Sequence, residues 1–95
     1  MGSSFAHPLL VLYFLKKDQG STKFAVSAGR SVGKAVQRNR AKRLIRTALQ
    51  EFIPNIKDGW NILIVARKPL ADANCQETKK ALESLFEKAN LLNED

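Results

Sequence analysis

The run Leu9–Lys16 is short and apolar and carries Val11, Tyr13 and Phe14, side chains that fit a pleated, half-buried surface, so it reads as a β-strand. The two-residue period puts Leu10, Leu12 and Phe14 on one face and Val11, Tyr13 and Leu15 on the other. Lys17–Thr22 is a polar turn containing Gly20. Lys23–Ala28 is a second strand, with Phe24, Val26 and Ala28 on one face and Ser27 opposing them. The two strands are expected to pair as an antiparallel hairpin with a longer loop.

After a loop at Gly29–Gly33 the period changes. Ala41, Leu44, Ile45, Ala48, Leu49 and Phe52 recur at helical spacing, so a helix starts between Lys34 and Arg38, packs one face on the sheet and stops at Pro54. Asp58-Gly59 is a turn, and Trp60–Ala66 is a third strand ended by Pro69. That strand is apolar on both faces, which predicts a central or well-covered position. Asn74 followed by Glu77 predicts a capping box at the start of a helix near Cys75–Ala89. Its packing stripe is Ala81, Leu82, Leu85, Phe86 and Ala89. No repeat, linker or low-complexity stretch interrupts the chain, so one domain spanning residues 1–95 is expected.

Composition narrows the functional classes. A formal net charge of +7 favours a polyanionic partner, nucleic acid or an anionic membrane surface. A single cysteine, Cys75, excludes an internal disulfide, and with one histidine, His7, it excludes a Cys/His zinc cluster. The longest apolar run, Pro8–Leu15, is far short of the ~20 residues of a membrane-spanning helix. The start lacks a basic n-region, and Lys16-Lys17-Asp18 stands where small residues would mark signal cleavage, so a cytoplasmic chain is expected.

The charge is concentrated. No acid occurs between Asp18 and Glu51, and that stretch holds Lys23, Arg30, Lys34, Arg38, Arg40, Lys42, Arg43 and Arg46, eight of the sixteen basic residues. At about 100° per residue from Ile45, Lys42, Arg46, Arg43 and Arg40 fan over roughly +60° to +220°, with Asn39 in the same arc and Arg38 at the seam toward the sheet. A charged run is more often just a solvated face. Such faces mix signs, however, because like charges three or four apart repel. Here Arg38/Lys42, Lys42/Arg46 and Arg43/Arg46 have no acid between them, and bases crowd the helix N-terminus, where the dipole disfavours them. Helix stability does not select this pattern; phosphate binding does. Tyr13, on the strand face away from Leu10, Leu12 and Phe14, is either a cover for the sheet edge or a platform for a splayed base.

No enzyme site is visible. Gly29-Arg30-Ser31-Val32-Gly33-Lys34 approaches a P-loop but has Ala28 at the first glycine position and Ala35 at the Ser/Thr position, so a tight turn is the better reading. His7 has no evident partner, and nothing near Cys75 would act as its base.

The segment Val32-Gly33-Lys34-Ala35-Val36-Gln37-Arg38-Asn39-Arg40-Ala41-Lys42-Arg43-Leu44-Ile45-Arg46 resembles the RNR signature of the bacterial ribonuclease P protein subunit family. Phe24–Ser27 is similar to the strand before that signature, Ile62–Pro69 to the family's strand and turn, and Glu77–Leu82 to its closing helix, so the likeness runs from about Phe5 to Leu92. The resemblance implies an α/β chain, an α+β two-layer sandwich with a four-stranded sheet and a left-handed β-α-β crossover. It implies a non-catalytic subunit, monomeric in the holoenzyme. Its partners would be the ribonuclease P RNA, which carries the active centre, and the 5′ leader of precursor tRNA, removed with magnesium used mainly by the RNA. Arg30, Lys34, Arg38, Asn39, Arg40, Lys42, Arg43 and Arg46 would contact RNA. Val11, Tyr13, Ser27, Arg38 and Asn39 would line the leader cleft. Two features depart from the family: Arg30 and Ser31 stand where it usually has paired lysines, and its basic N-terminal segment and first helix have no match before Phe5. The alternatives are a general or ribosomal RNA-binding module and a DNA-binding helix-turn-helix, the latter disfavoured by strands on both sides of the basic helix.

Overall fold

The computed structural model describes residues 2–93; Met1, Glu94 and Asp95 lie outside the described residues. Four strands, β1 (Gly2–Ala6), β2 (Leu10–Lys16), β3 (Lys23–Ala28) and β4 (Trp60–Ala66), form one mixed sheet in the order β1-β2-β4-β3. Helix α1 (Ala35–Leu49) connects β3 to β4, and α2 (Cys75–Lys88) follows β4. Short 3₁₀ turns occupy Arg30–Val32, Ile53–Asn55 and Lys68–Asp72. The fold is α+β: a four-stranded mixed sheet with two helices.

The expected β2–β3 hairpin does not form. β2 pairs antiparallel with β4, and β3 pairs parallel with β4 from its other side. The 17–22 connection straddles the start of β4 instead of closing a hairpin. The Lys17 amide donates to Gly59 O at 2.9 Å, the Trp60 amide donates to the Thr22 hydroxyl at 3.2 Å, and that hydroxyl donates to Lys57 O. The apolar β4 thereby takes the interior position that its composition predicts. β1 was not expected from the residues, since Gly2-Ser3-Ser4 carries no strand preference. It is templated by β2, antiparallel with Ser4 opposite Tyr13 and Phe5 opposite Leu12.

Register divides the sheet into a covered and an open face. Leu10, Leu12, Ile62, Ile64 and Ala66 are buried against the helices, joined by Ala41, Ile45, Ala48 and Leu49 of α1 and by Ala81, Leu82, Leu85 and Phe86 of α2. Phe52, just past α1, meets Phe86 edge-on at 5.7 Å. The other face carries no helix. β4 is therefore central in the sheet but covered on one face alone, and Leu63 on the open face remains 36% exposed.

The helix termini follow local chemistry. Asn74 Oδ1 accepts from the Glu77 amide at 2.8 Å, and Glu77 Oε1 accepts from the Asn74 amide at 3.2 Å, the reciprocal box expected. At α1, Gln37 Oε1 accepts from the Lys34 amide at 2.6 Å. Gly33, at φ 139°, makes the preceding turn, and that backbone angle requires glycine; a Cβ there would also displace the end of the Gln37 side chain from the Lys34 amide. The helix ends at Leu49, before Pro54, which sits in the next 3₁₀ turn.

Candidate nucleic-acid interface

Two surfaces are available to a polyanion. The first is the exposed arc of α1 with the turn before it. Arg30 is exposed in its 3₁₀ turn, closed by Val32 N–H to Gly29 O and Gly33 N–H to Arg30 O, both at 3.1 Å. This is the tight turn expected in place of a P-loop. Lys34 is exposed at the helix start. Asn39, Arg43 and Arg46 are exposed, whereas Arg38 and Lys42 are half-buried, Arg38 as its seam position predicts. Among the described residues the single ion pair joins Lys79 to Glu51 at 3.3 Å, so no carboxylate neutralises the bases of α1. Arg40 differs from its neighbours. Its Nε donates to Ala71 O at 3.1 Å and its Nη2 to Ala73 O at 3.2 Å, across the helix–turn contact just before α2.

The second surface is the open sheet face. Its side chains stand in three rows fixed by register: Gly2, Leu15, Asn61 and Lys23; Ser4, Tyr13, Leu63 and Ala25; Ala6, Val11, Val65 and Ser27. The first two rows line a concavity of about 770 Å³. Tyr13 lies in its floor, 45% exposed, beside Leu63, with Lys23 and Asn61 supplying a cation and an amide at one end. This is an apolar platform with few polar groups, suited to the flat faces of unpaired bases.

Of the expected cleft residues, Val11, Tyr13 and Ser27 share this face, with β4 between them. Only Tyr13 lines the concavity itself, and Val11, Ser27, Arg38 and Asn39 do not. A direct β2–β3 pairing leaves out β4 and with it Leu63 and Asn61, while Lys23 stands in the sequence only as one member of the basic run. The apolar odd positions of β4 were the available signal. Among the described residues no three His, Cys, Asp or Glu side chains converge on a metal site, and no helix is long and apolar enough to cross a membrane.

Residues 1–90 match the family model described as Ribonuclease P. The ribonuclease P protein component of Oceanobacillus iheyensis is 44% identical over 92 residues, covering 96% of this chain and 76% of the relative. That of Symbiobacterium thermophilum is 39% identical, covering 99% and 83%. The solved RNase P protein of Staphylococcus aureus superposes with a TM-score of 0.83 at 27% identity, covering 97% of this chain and 84% of that one. The Thermotoga maritima protein, at 24% identity and a TM-score of 0.80, shares the fold. The likeness first carried by Val32–Arg46 thus extends over nearly the whole chain, which belongs to the family of protein components of the tRNA-processing endoribonuclease ribonuclease P.

Proposed function

We propose that this chain binds the catalytic RNA of ribonuclease P through Arg30, Lys34, Lys42, Arg43 and Arg46. In the same reading it holds the 5′ leader of precursor tRNA along the open sheet face, promoting magnesium-dependent removal of that leader. Arg38, at the seam of α1, and Asn39, on its exposed arc, would meet the leader where it passes from sheet to helix, and Val11, Tyr13 and Ser27 would support it. The observation that carries this reading is the pairing of an unneutralised basic arc with an uncovered apolar floor containing Tyr13. The arc supplies phosphate attraction without sequence preference, and the floor supplies stacking.

The chain's own part is to bind and to orient. In this reading the magnesium serves mainly the RNA, and no step is routed through the protein. If about five phosphates are neutralised, affinity for the RNA falls two to three decades between about 50 and 200 mM salt. The decisive assay adds the protein to a bacterial ribonuclease P RNA at low magnesium and measures leader removal. Accelerated cleavage is expected. No acceleration, with RNA binding retained, would leave a general or ribosomal RNA-binding module.

A further inference from the structure

Arg40 lies within the basic run of α1 but does not share its circumstances. Its fork is committed to two main-chain carbonyls, Ala71 O at 3.1 Å and Ala73 O at 3.2 Å. Those carbonyls belong to the short stretch between β4 and α2: Leu70 and Ala73 are buried there, and Asn74, the next residue, caps α2. A guanidinium aimed this way has two of its donors occupied on the protein, whereas among the described residues Arg43 and Arg46 have no such side-chain bond. The bonds also act close to an incompletely capped helix start. Its first turn contains no acid, and its only side-chain cap is the Gln37 bond to the Lys34 amide.

We infer that Arg40 is a positioning residue for RNA recognition: it latches the first two turns of α1 to the β4–α2 connection and fixes the direction in which Lys34, Arg38 and Asn39 are presented. Its direction is set by those two carbonyls rather than by a phosphate. This rests on the reading of α1 as the RNA-binding element. The chemistry distinguishes arginine from lysine here. A phosphate is satisfied by either cation, whereas the rigid two-nitrogen fork of arginine places one donor on each carbonyl and the single nitrogen of lysine, on a flexible stem, holds such a pair less firmly.

The test compares Arg40→Lys, Arg40→Gln and Arg43→Gln by binding to a bacterial ribonuclease P RNA over a salt series, with thermal unfolding of each protein measured in parallel. Arg43→Gln reports on the underlying reading: its affinity should fall severalfold and its log–log salt slope should shrink by about 0.9. If neither changes, the RNA-binding reading of α1 fails, whatever Arg40 does. Given that control, Arg40→Lys, which keeps the charge and loses the fork, should bind about tenfold more weakly than the parent at temperatures where it is fully folded. Its salt slope should stay unchanged, and Arg40→Gln should lose at least as much affinity. Arg40→Lys binding like the parent would overturn the latch. So would a fall in melting temperature with no change in the affinity of the folded protein, which would reduce Arg40 to a stabilising contact.

Discussion

The two helices bury comparable stripes, Ala41, Ile45, Ala48 and Leu49 on α1 and Ala81, Leu82, Leu85 and Phe86 on α2, yet their outer faces follow opposite rules. α2 has a complete reciprocal cap, an acid in its first turn, Lys88 in its last, and exposed residues of both signs. α1 has half a cap, no acid in its first turn, and bases that repel one another along the exposed arc. Packing accounts for the inner faces of both. Only for α2 does helix stability also account for the outer face. The surface of α1 therefore answers to something outside the chain, and the same contrast separates the covered sheet face from the open one.

The comparison is broken most severely in the core. Phe86 is fully buried, so Phe86→Ala should destabilise by about 3–5 kcal/mol, read by urea unfolding. A loss below about 1 kcal/mol would mean that α2 is not the structural helix. Tyr13→Ala should act the other way round. It should leave unfolding nearly unchanged while weakening binding of a single-stranded leader oligonucleotide by about 1–3 kcal/mol, the worth of one stacked base. A large stability change with unaltered leader affinity would make Tyr13 a cover for the sheet.

The caps sharpen the contrast at a smaller scale. Asn74→Ala removes a 2.8 Å bond to the Glu77 amide and should cost about 1 kcal/mol. Gln37→Ala, where only the reverse bond exists, should cost less in chemical unfolding. Equal losses would show α1 to be as dependent on its own terminus as α2.

Elements with an internal signal were legible in the sequence. The helical period from Ala41, the Asn74–Glu77 box and the two-residue alternation of Leu10 to Leu15 each encode their own structure; the box and the alternation appear as read, whereas the helix ends at Leu49 and leaves Phe52, the last position of the period, in the turn that follows. What was not legible depends on a partner elsewhere in the chain. β1 is a strand because β2 offers it an edge, and Gly2-Ser3-Ser4 contributes no preference of its own. The placement of β4 between β2 and β3 is enforced by the hydrogen bonds of Lys17 and Thr22 to the 57–60 segment, which adjacency along the chain misrepresents as a hairpin. At the candidate site, the charge of Arg40 was readable but its direction was not. Backbone carbonyls such as Ala71 O and Ala73 O carry no side-chain identity to mark them as acceptors.

The smallest effect has the most telling sign. Arg43 is exposed and stands three residues from both Arg40 and Arg46, with no carboxylate paired to it. Arg43→Gln removes two like-charge neighbours and keeps a good helix former. The free protein should therefore become more stable by a few tenths of a kcal/mol at low ionic strength, and the gain should vanish as salt screens the arc. Differential unfolding of parent and variant at two salt concentrations measures this. The same substitution should weaken RNA binding. A residue whose removal stabilises the fold while impairing association is kept for the association. A loss of stability on Arg43→Gln would instead make the basic arc part of the fold's own support and remove the distinction between the two helices.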